Sequence, residues 1–188
     1  DEIMMVSRAG LAVRFEESDA RAMGRSTGGV KGMNIGDGEV IAMDVARDDM
    51  DLLVMTEAGY GKRTKIDQYR KTARGTKGVI TIKLTEAKGG LAGALVVRPH
   101  HELVFISQNG MVNRTGVKGI SQQGRTATGV RVMNPKGDDR VTAVALIAES
   151  EAEDDGQEVL DVDAEAAALA ADATPGEAAP DESAETEE

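Results

Sequence analysis

Three loops of the sequence concentrate residue types that bind phosphate groups. They span residues 21–29, 70–78 and 118–129, and each combines Lys or Arg with hydroxyl side chains and glycines. Such side chains, together with main-chain N–H groups that glycine leaves accessible, position proteins on the DNA backbone and carry little sequence information. The loops therefore predict sequence-independent binding to the phosphates of a nucleic acid.

Thirteen basic side chains in these loops, and on or just after the strand before each loop, are candidate DNA contacts. They are Arg14, Arg21, Arg25, Lys62, Arg63, Lys65, Arg70, Lys71, Arg74, Lys77, Arg114, Lys118 and Arg125. Any one of them alone would be ordinary surface charge. However, Arg25, Arg74 and Arg125 recur in register, which favours contact with a regularly spaced polyanion along a bent path.

The recurrence belongs to a threefold internal repeat. Four sets of equivalent residues are each spaced by 49 and then 51 positions. They are Gly10, Gly59 and Gly110; Arg14, Arg63 and Arg114; Arg25, Arg74 and Arg125; and Gly29, Gly78 and Gly129. The sequence therefore divides into repeat units at residues 1–49, 50–100 and 101–148, followed by residues 149–188.

The elements that must position these loops are strands. In each unit an apolar run, a turn with glycine and a second run carrying the arginine predict a hairpin. A third strand is predicted after the loop, within the same blade, and a fourth after another glycine turn. Four strands in about 50 residues predict an all-β fold of β-propeller or β-pinwheel blades, each with four antiparallel strands. A stack of small β-barrels is the alternative architecture.

Net charge separates the repeats from the rest of the chain. Residues 1–148 hold all 22 Lys and Arg against 17 Asp and Glu, whereas residues 149–188 hold 16 acids and no base. A segment so rich in acids, Ala and Pro cannot bury enough apolar surface to order itself, so we predict a disordered acidic tail. We expect its carboxylates to compete with DNA for the basic loops.

Composition also excludes several kinds of site. Cys is absent, so disulfides and thiolate metal sites are excluded, and a cytoplasmic location is expected. Only 2% of residues are aromatic, which argues against a stacking platform for single strands. No apolar run approaches the roughly 20 residues that cross a bilayer, so no membrane partner is predicted. His100 and His101 are adjacent, which suits a loop better than a metal site.

At the loops the sequence resembles the carboxy-terminal domain of the A subunit of bacterial DNA gyrase, a type IIA topoisomerase. The likeness covers residues 1 to about 148 and is most specific at residues 59–65 and 74–83, while residues 71–78 look like a degenerate form of the family's basic box. It implies a pinwheel whose outer rim wraps DNA, so that the holoenzyme can introduce negative supercoils using ATP. The family typically has about six blades, so three units starting at Asp1 predict missing upstream blades.

The resemblance also implies the partners and cofactors. The expected partners are double-stranded DNA, the gyrase B subunit, and the remainder of the A subunit, in a heterotetramer of two A and two B subunits. The tyrosine nucleophile, the Mg²⁺ site and the ATP site belong to other parts of that enzyme, so no cofactor and no catalytic residue is predicted here. The alternatives are the carboxy-terminal domain of the A subunit of topoisomerase IV and a protein-binding propeller, whose peptide binding would not track phosphate charge.

Overall fold

A computed structural model of the protein describes residues 1–147, so the predicted acidic tail lies outside the described residues. Within them the chain forms strands and short 3₁₀ turns and no α-helix, and the predicted all-β class is confirmed. Strands β1 to β11 are Glu2–Ser7, Leu11–Glu16, Val40–Ala46, Asp51–Thr56, Tyr60–Lys65, Val79–Ile80, Leu91–Val97, Glu102–Ser107, Val112–Gly116, Val130–Arg131 and Val141–Ile147. The 3₁₀ turns are Glu17–Asp19, Ile66–Gln68, Glu86–Lys88 and Val117–Gly119.

The strands form three antiparallel sheets, one for each repeat unit. Their strand orders are β3-β1-β2-β6, β10-β5-β4-β7 and β11-β8-β9, and the third sheet has three strands within the described residues. The last strands of successive units, β3, β7 and β11, contact one another in turn. Four-stranded antiparallel blades, as predicted from the repeat, are therefore confirmed for the first two sheets.

The outer strand of each four-stranded sheet comes from the following unit. In the first sheet Val79 and Ile80 of β6 pair with Ala12 and Leu11, although β6 belongs to the second unit. In the second sheet β10, from the third unit, pairs with β5. The sequence prediction placed each third strand in its own unit's blade, and that assignment was wrong. A local pattern identifies a strand but not its partner, whereas the long preceding loop lets this strand reach the neighbouring sheet.

The hydrophobic core lies between neighbouring sheets. One buried cluster joins Met4 and Val6 of the first unit to Leu52 and Val54 of the second. Another joins the opposite face of β4, including Leu53, to the third unit. Each side chain of this size stabilises the fold by about 1.5–3 kcal/mol when it is fully buried. Strand β4 is buried along its whole length because its two faces pack against different neighbours.

Glycine is required where a hairpin turn meets the next unit. Gly59 has φ +84°, and a Cβ atom there would lie 2.1 Å from the carbonyl oxygen of Met133. Gly110 occupies the equivalent turn with the same φ of +84°, but a Cβ atom there would have no neighbour within 4 Å in the described part of the chain. The two glycines therefore share a backbone requirement and differ only in the contact across the junction.

This difference predicts unequal effects of the same substitution. Gly110→Ala should lower the free energy of unfolding by about 1–2 kcal/mol, the cost of the left-handed backbone. Gly59→Ala should lose about 1–3 kcal/mol more, because the added methyl group overlaps a main-chain carbonyl. Urea denaturation of both variants checks this, and equal losses would show that the contact at Met133 is not tight.

Candidate nucleic-acid interface

The loops of the second and third units lie along the second strand of the preceding unit. In the first sheet the N–H of Thr72 donates to the carbonyl of Arg14 at 2.8 Å, and β6 continues along the same strand. In the second sheet Gln123 makes the equivalent bond to Arg63 at 2.9 Å. We call the surface formed by residues 70–80 and 118–131 the outer edge, because it closes the side of each sheet opposite β3 and β7.

Two of the in-register arginines occupy the same position at successive junctions on the outer edge. Arg74 donates from Nη1 to the carbonyl of Lys31 at 3.1 Å, and Arg125 donates from Nη1 to the carbonyl of Ile80 at 3.1 Å. Lys31 and Ile80 are equivalent in the repeat, so each guanidinium bridges to the same point of the preceding unit. Both side chains stay partly exposed.

Arg25, the first of the three, is exposed and makes no hydrogen bond or ion pair within residues 1–147. Neither Arg74 nor Arg125 forms an ion pair with a carboxylate in this part of the chain; Arg74 uses its Nε for the carbonyl of Asp19 at 2.8 Å. Bonds to carbonyls fix the direction of a guanidinium without neutralising it. All three arginines therefore keep a positive charge available to an anion.

Eight of the thirteen predicted contacts are at least partly exposed and have no carboxylate partner in the described residues. They are Arg21, Arg25, Lys65, Arg70, Arg74, Lys77, Lys118 and Arg125. They lie in the three loops, apart from Lys65 at the end of β5. Uncompensated cations along one surface create the positive potential that attracts a polyanion.

Arg14 is a correction to the set predicted from the sequence. Its side chain is only 5% exposed and pairs with Glu2 and with Asp48, the latter at 2.7 Å. Nη1 donates to the carbonyls of Ile66 at 3.0 Å and Tyr69 at 3.2 Å, the first residue of the 3₁₀ turn of the next unit and the residue that follows that turn. Because its donors are used in the interior, Arg14 holds two units together and cannot reach DNA.

The equivalent arginines share this arrangement to different degrees. Arg63 is 16% exposed, pairs with Asp51 at 2.6 Å and donates from Nε to the carbonyl of Ile120 at 2.8 Å. Arg114 is 65% exposed and, within residues 1–147, pairs with Glu102 alone. We call the pairs Arg14–Glu2, Arg63–Asp51 and Arg114–Glu102 the arginine clamps. In the first two pairs the arginine also donates to main-chain carbonyls of the following unit. This structural role accounts for an arginine at these two positions of the repeat without any contact to DNA.

Lys71 is exposed at the outer edge, but its charge is shared. Its ammonium pairs with Glu2 and with Glu16, the latter at 2.7 Å. Surface pairs of this kind contribute little to stability, so a phosphate could replace these carboxylates at small cost. Lys71 therefore remains a predicted contact.

Lys62 is a second correction to the predicted set. Its side chain is 0% exposed. Nζ donates to the carbonyls of Gly124 at 2.5 Å and Arg125 at 2.7 Å, so the ammonium anchors the loop of the third unit from inside. Burial, with a smaller effect from the Arg125 charge, lowers the pKa of Lys62 to about 8. Lys62 therefore supports the loop that carries Arg125 and does not itself face solvent.

The lowered pKa makes stability depend on pH. Above about pH 8 Lys62 loses its proton in the folded protein, whereas in the unfolded chain it keeps the proton up to its ordinary pKa of 10.5. The unfolded state then binds more protons, so the free energy of unfolding should rise from pH 8 towards 10.5. Urea denaturation at pH 7.5, 8.5 and 9.5 measures this rise. Lys62→Met should abolish it and exposed Lys65→Met should retain it; a rise that survives in Lys62→Met would assign it to another group.

Two basic residues outside the predicted set, one on the outer edge and one beside it, flank the same aromatic ring. Lys88 and Arg131 approach the ring of Tyr60, at 4.4 Å and 4.6 Å from its centroid. Sequence reasoning missed them because they are 43 positions apart and belong to different units. Only the exchange of β10 into the second sheet brings them together.

Other kinds of site find little support in the described residues. Within residues 1–147 no three His, Cys, Asp or Glu side chains are grouped so that they could hold a metal ion. The rings of His100 and His101 pack edge to face, with centroids 4.6 Å apart. Tyr69 is buried and its hydroxyl lies 2.5 Å from that of Thr81, which is consistent with a structural role. No helix in this part of the chain is long and apolar enough to span a membrane.

Comparison with known proteins matches all three repeat units to one family. Residues 1–47, 51–98 and 101–148 each match the family described as DNA gyrase C-terminal domain, beta-propeller. The chain is 41% identical to the DNA gyrase A subunit of Streptomyces coelicolor over 174 residues, which cover 89% of this chain and 20% of that protein. It is 41% identical to the same protein of Escherichia coli K12 over 156 residues, 82% of this chain and 18% of that one. The chain thus spans about a fifth of the length of these curated relatives.

Solved structures agree with the match. A DNA gyrase A C-terminal domain superposes with a TM-score of 0.72 and 26% identity, covering 78% of this chain and 50% of that one. The C-terminal domain of a DNA topoisomerase IV gives a TM-score of 0.74 at 23% identity, covering 78% and 46%, and so shows the shared fold.

Proposed function

This chain belongs to the family of DNA gyrase C-terminal β-propeller domains, and from this premise we propose that its outer edge binds and wraps duplex DNA. The observation that carries the proposal is the identical placement of Arg74 and Arg125 at successive junctions, each uncompensated by a carboxylate in residues 1–147. A rigid series of cations can offset the cost of bending DNA through phosphate contacts alone. The binding is therefore independent of base sequence.

The parent protein on this proposal is the A subunit of a DNA gyrase. The chain supports ATP-dependent negative supercoiling by a cytoplasmic complex of two A and two B subunits, in which cleavage, Mg²⁺ binding and ATP hydrolysis occur elsewhere. Topoisomerase IV is less well supported, because the curated relatives at about 41% identity are gyrase A subunits, whereas the topoisomerase IV structure, at 23% identity, shows the fold alone.

Salt dependence tests DNA binding directly. Fluorescence anisotropy of the full chain with two duplexes of unrelated sequence should give similar affinities that fall steeply from 50 to 200 mM salt. Each phosphate contact contributes roughly −0.9 to the slope of log K against log salt, so six to eight contacts give a slope of about −5 to −7. A protein-binding propeller would show no such slope, and a strong preference for one duplex would contradict contact through phosphates.

Wrapping, as distinct from binding, is measured by topology. Closed circular plasmid relaxed by a type I topoisomerase in the presence of the chain should retain a change in linking number once protein is removed. A chain that binds with the expected salt slope but leaves the linking number unchanged would bind DNA without wrapping it.

The acidic segment at residues 149–188 lies outside the described residues, and its competition with DNA remains a prediction from charge. Deleting it removes 16 carboxylates and should tighten duplex binding at 50 mM salt and steepen the salt dependence. Replacing the 16 acids with Gln and Asn at constant length separates charge from chain volume. Unchanged affinity at every salt concentration in both variants would exclude competition.

A further inference from the structure

We propose that Lys88, Arg131 and Tyr60 form a second phosphate site, which we call the tyrosine site, and that it takes a phosphodiester group of duplex DNA. The site lies where β5 begins, at the turn end of the junction between the second and third sheets. It deepens the DNA-wrapping function proposed above and rests on it.

The three side chains are held in a fixed arrangement. Arg131 donates from Nη2 to the hydroxyl of Tyr60 at 2.7 Å and from Nη1 to Oδ1 of Asn134 at 2.6 Å. Lys88 places its ammonium 4.4 Å from the centre of the same ring and donates to the carbonyl of Thr128 at 2.8 Å. Every one of these partners is a neutral group, so the contacts orient both cations without cancelling their charge.

Two like charges beside one ring repel each other, and no carboxylate of residues 1–147 forms an ion pair with either. Glu57, near the same turn, is engaged by Arg8 at 2.6 Å. Clustered cations of one sign, fixed by neutral groups, raise the local concentration of an anion. A phosphate oxygen is such an anion, and the hydrogen-bonding fork of Arg131 suits it.

The chain itself shows that packing does not require these cations. Tyr60 pairs with Arg131 across β5 and β10, and at the equivalent junction Leu11 pairs with Ile80 across β2 and β6. An apolar pair therefore completes the same contact one unit earlier. The Tyr60–Arg131 pair at the second junction is therefore not needed for packing, which leaves its charge available to bind an anion.

The position of the tyrosine site agrees with DNA as its occupant. Thr128, which accepts the bond from Lys88, lies in the same loop as Arg125. The site therefore continues the positive surface of the outer edge towards the turn end of the sheet. We therefore expect the backbone of a duplex held by Arg125 to pass beside these two cations.

The test replaces the Tyr60–Arg131 pair with the leucine–isoleucine pair that occupies the equivalent position at the first junction. Tyr60→Leu with Arg131→Ile, combined with Lys88→Gln, removes both cations and keeps the junction packed. In the full chain this variant should reduce the magnitude of the salt slope by about 2 and weaken duplex binding about tenfold or more at 100 mM salt. A milder variant, Lys88→Gln with Arg131→Gln, keeps Tyr60 and should show the same change in slope if the first variant fails to fold.

The matched control removes two charges at the opposite end of the strands. Arg47→Gln with Arg98→Gln changes residues just after β3 and β7, so its slope should equal that of the unchanged protein. Inorganic phosphate alone, at 1 mM, should not bind the tyrosine site measurably, because a single anion lacks the neighbouring contacts of a duplex. Phosphate binding that the variants abolish, with an unchanged DNA slope, would overturn the assignment to DNA.

Failure of this proposal and failure of DNA wrapping are distinguishable. If Arg74→Gln with Arg125→Gln weakens DNA binding while the variants at the tyrosine site keep the full slope, the tyrosine site is refuted and the outer edge stands. If the unchanged chain shows no salt-dependent binding to duplex DNA, both proposals fall.

Discussion

Replacing Arg25, Arg74 and Arg125 together with Glu should weaken duplex binding by at least about 100-fold at 100 mM salt and reduce the salt slope by roughly 3. Each substitution removes one phosphate contact and introduces a charge that repels the next. Anisotropy with a random-sequence duplex measures the loss. The effect should be largely independent of which duplex is used, because none of these contacts reads a base.

The matched control keeps the positive charge of each side chain and removes the guanidinium group with its several N–H donors. Arg25, Arg74 and Arg125 all replaced with Lys should retain most of the salt slope, since counterion release depends on charge. Both triple variants lose the inter-unit bonds of Arg74 and Arg125, which costs about 1 kcal/mol for each. A Glu variant that binds like the Lys variant would show that these arginines do not contact DNA.

Arg14→Met should lower the free energy of unfolding by about 3–5 kcal/mol, because it leaves Glu2 partly buried without its main cation and removes two bonds to carbonyls of the next unit. This is a large fraction of the 5–15 kcal/mol by which domains are usually stable. Urea denaturation measures the loss. DNA binding by the molecules that remain folded should change little, since Arg14 is buried.

The repeat supplies the control for this experiment. Arg114→Met makes the same substitution in the equivalent arginine clamp, where the side chain is 65% exposed and Glu102 is its one carboxylate partner among the described residues. Its effect should be within about 0.5 kcal/mol. Equal losses in the two variants would mean that the bonds across the junction contribute nothing to stability.

Much of the fold could be predicted from the sequence because the relevant signals are local. Gly10, Gly59 and Gly110 mark tight turns, and all three adopt positive φ. The runs beside them form the expected hairpins. The exchange of β6 and β10 could not be predicted in this way, because a two-residue strand such as Val79–Ile80 carries no information about which edge it joins.

The candidate site was predictable in part, for a related reason. Recurrence in register identified two columns of arginine, those of Arg14 and Arg74, but a carboxylate repeated in every unit selects arginine as readily as a regular series of phosphates. The geometry separates the two cases, since Arg14 is buried against carboxylates and Arg74 is not. Lys62 was misassigned because its burial depends on a loop that is 62 residues away.

The exchange of strands between units means that no repeat is a self-sufficient module. Excising the third unit would take β10 away and expose the main-chain donors and acceptors of β5 at Tyr60 and Gly61. Such a bare edge promotes aggregation. Engineering that adds or deletes a unit must therefore supply a substitute strand for the neighbour, and melting of one sheet should propagate to the next and not stop at a boundary drawn from the sequence.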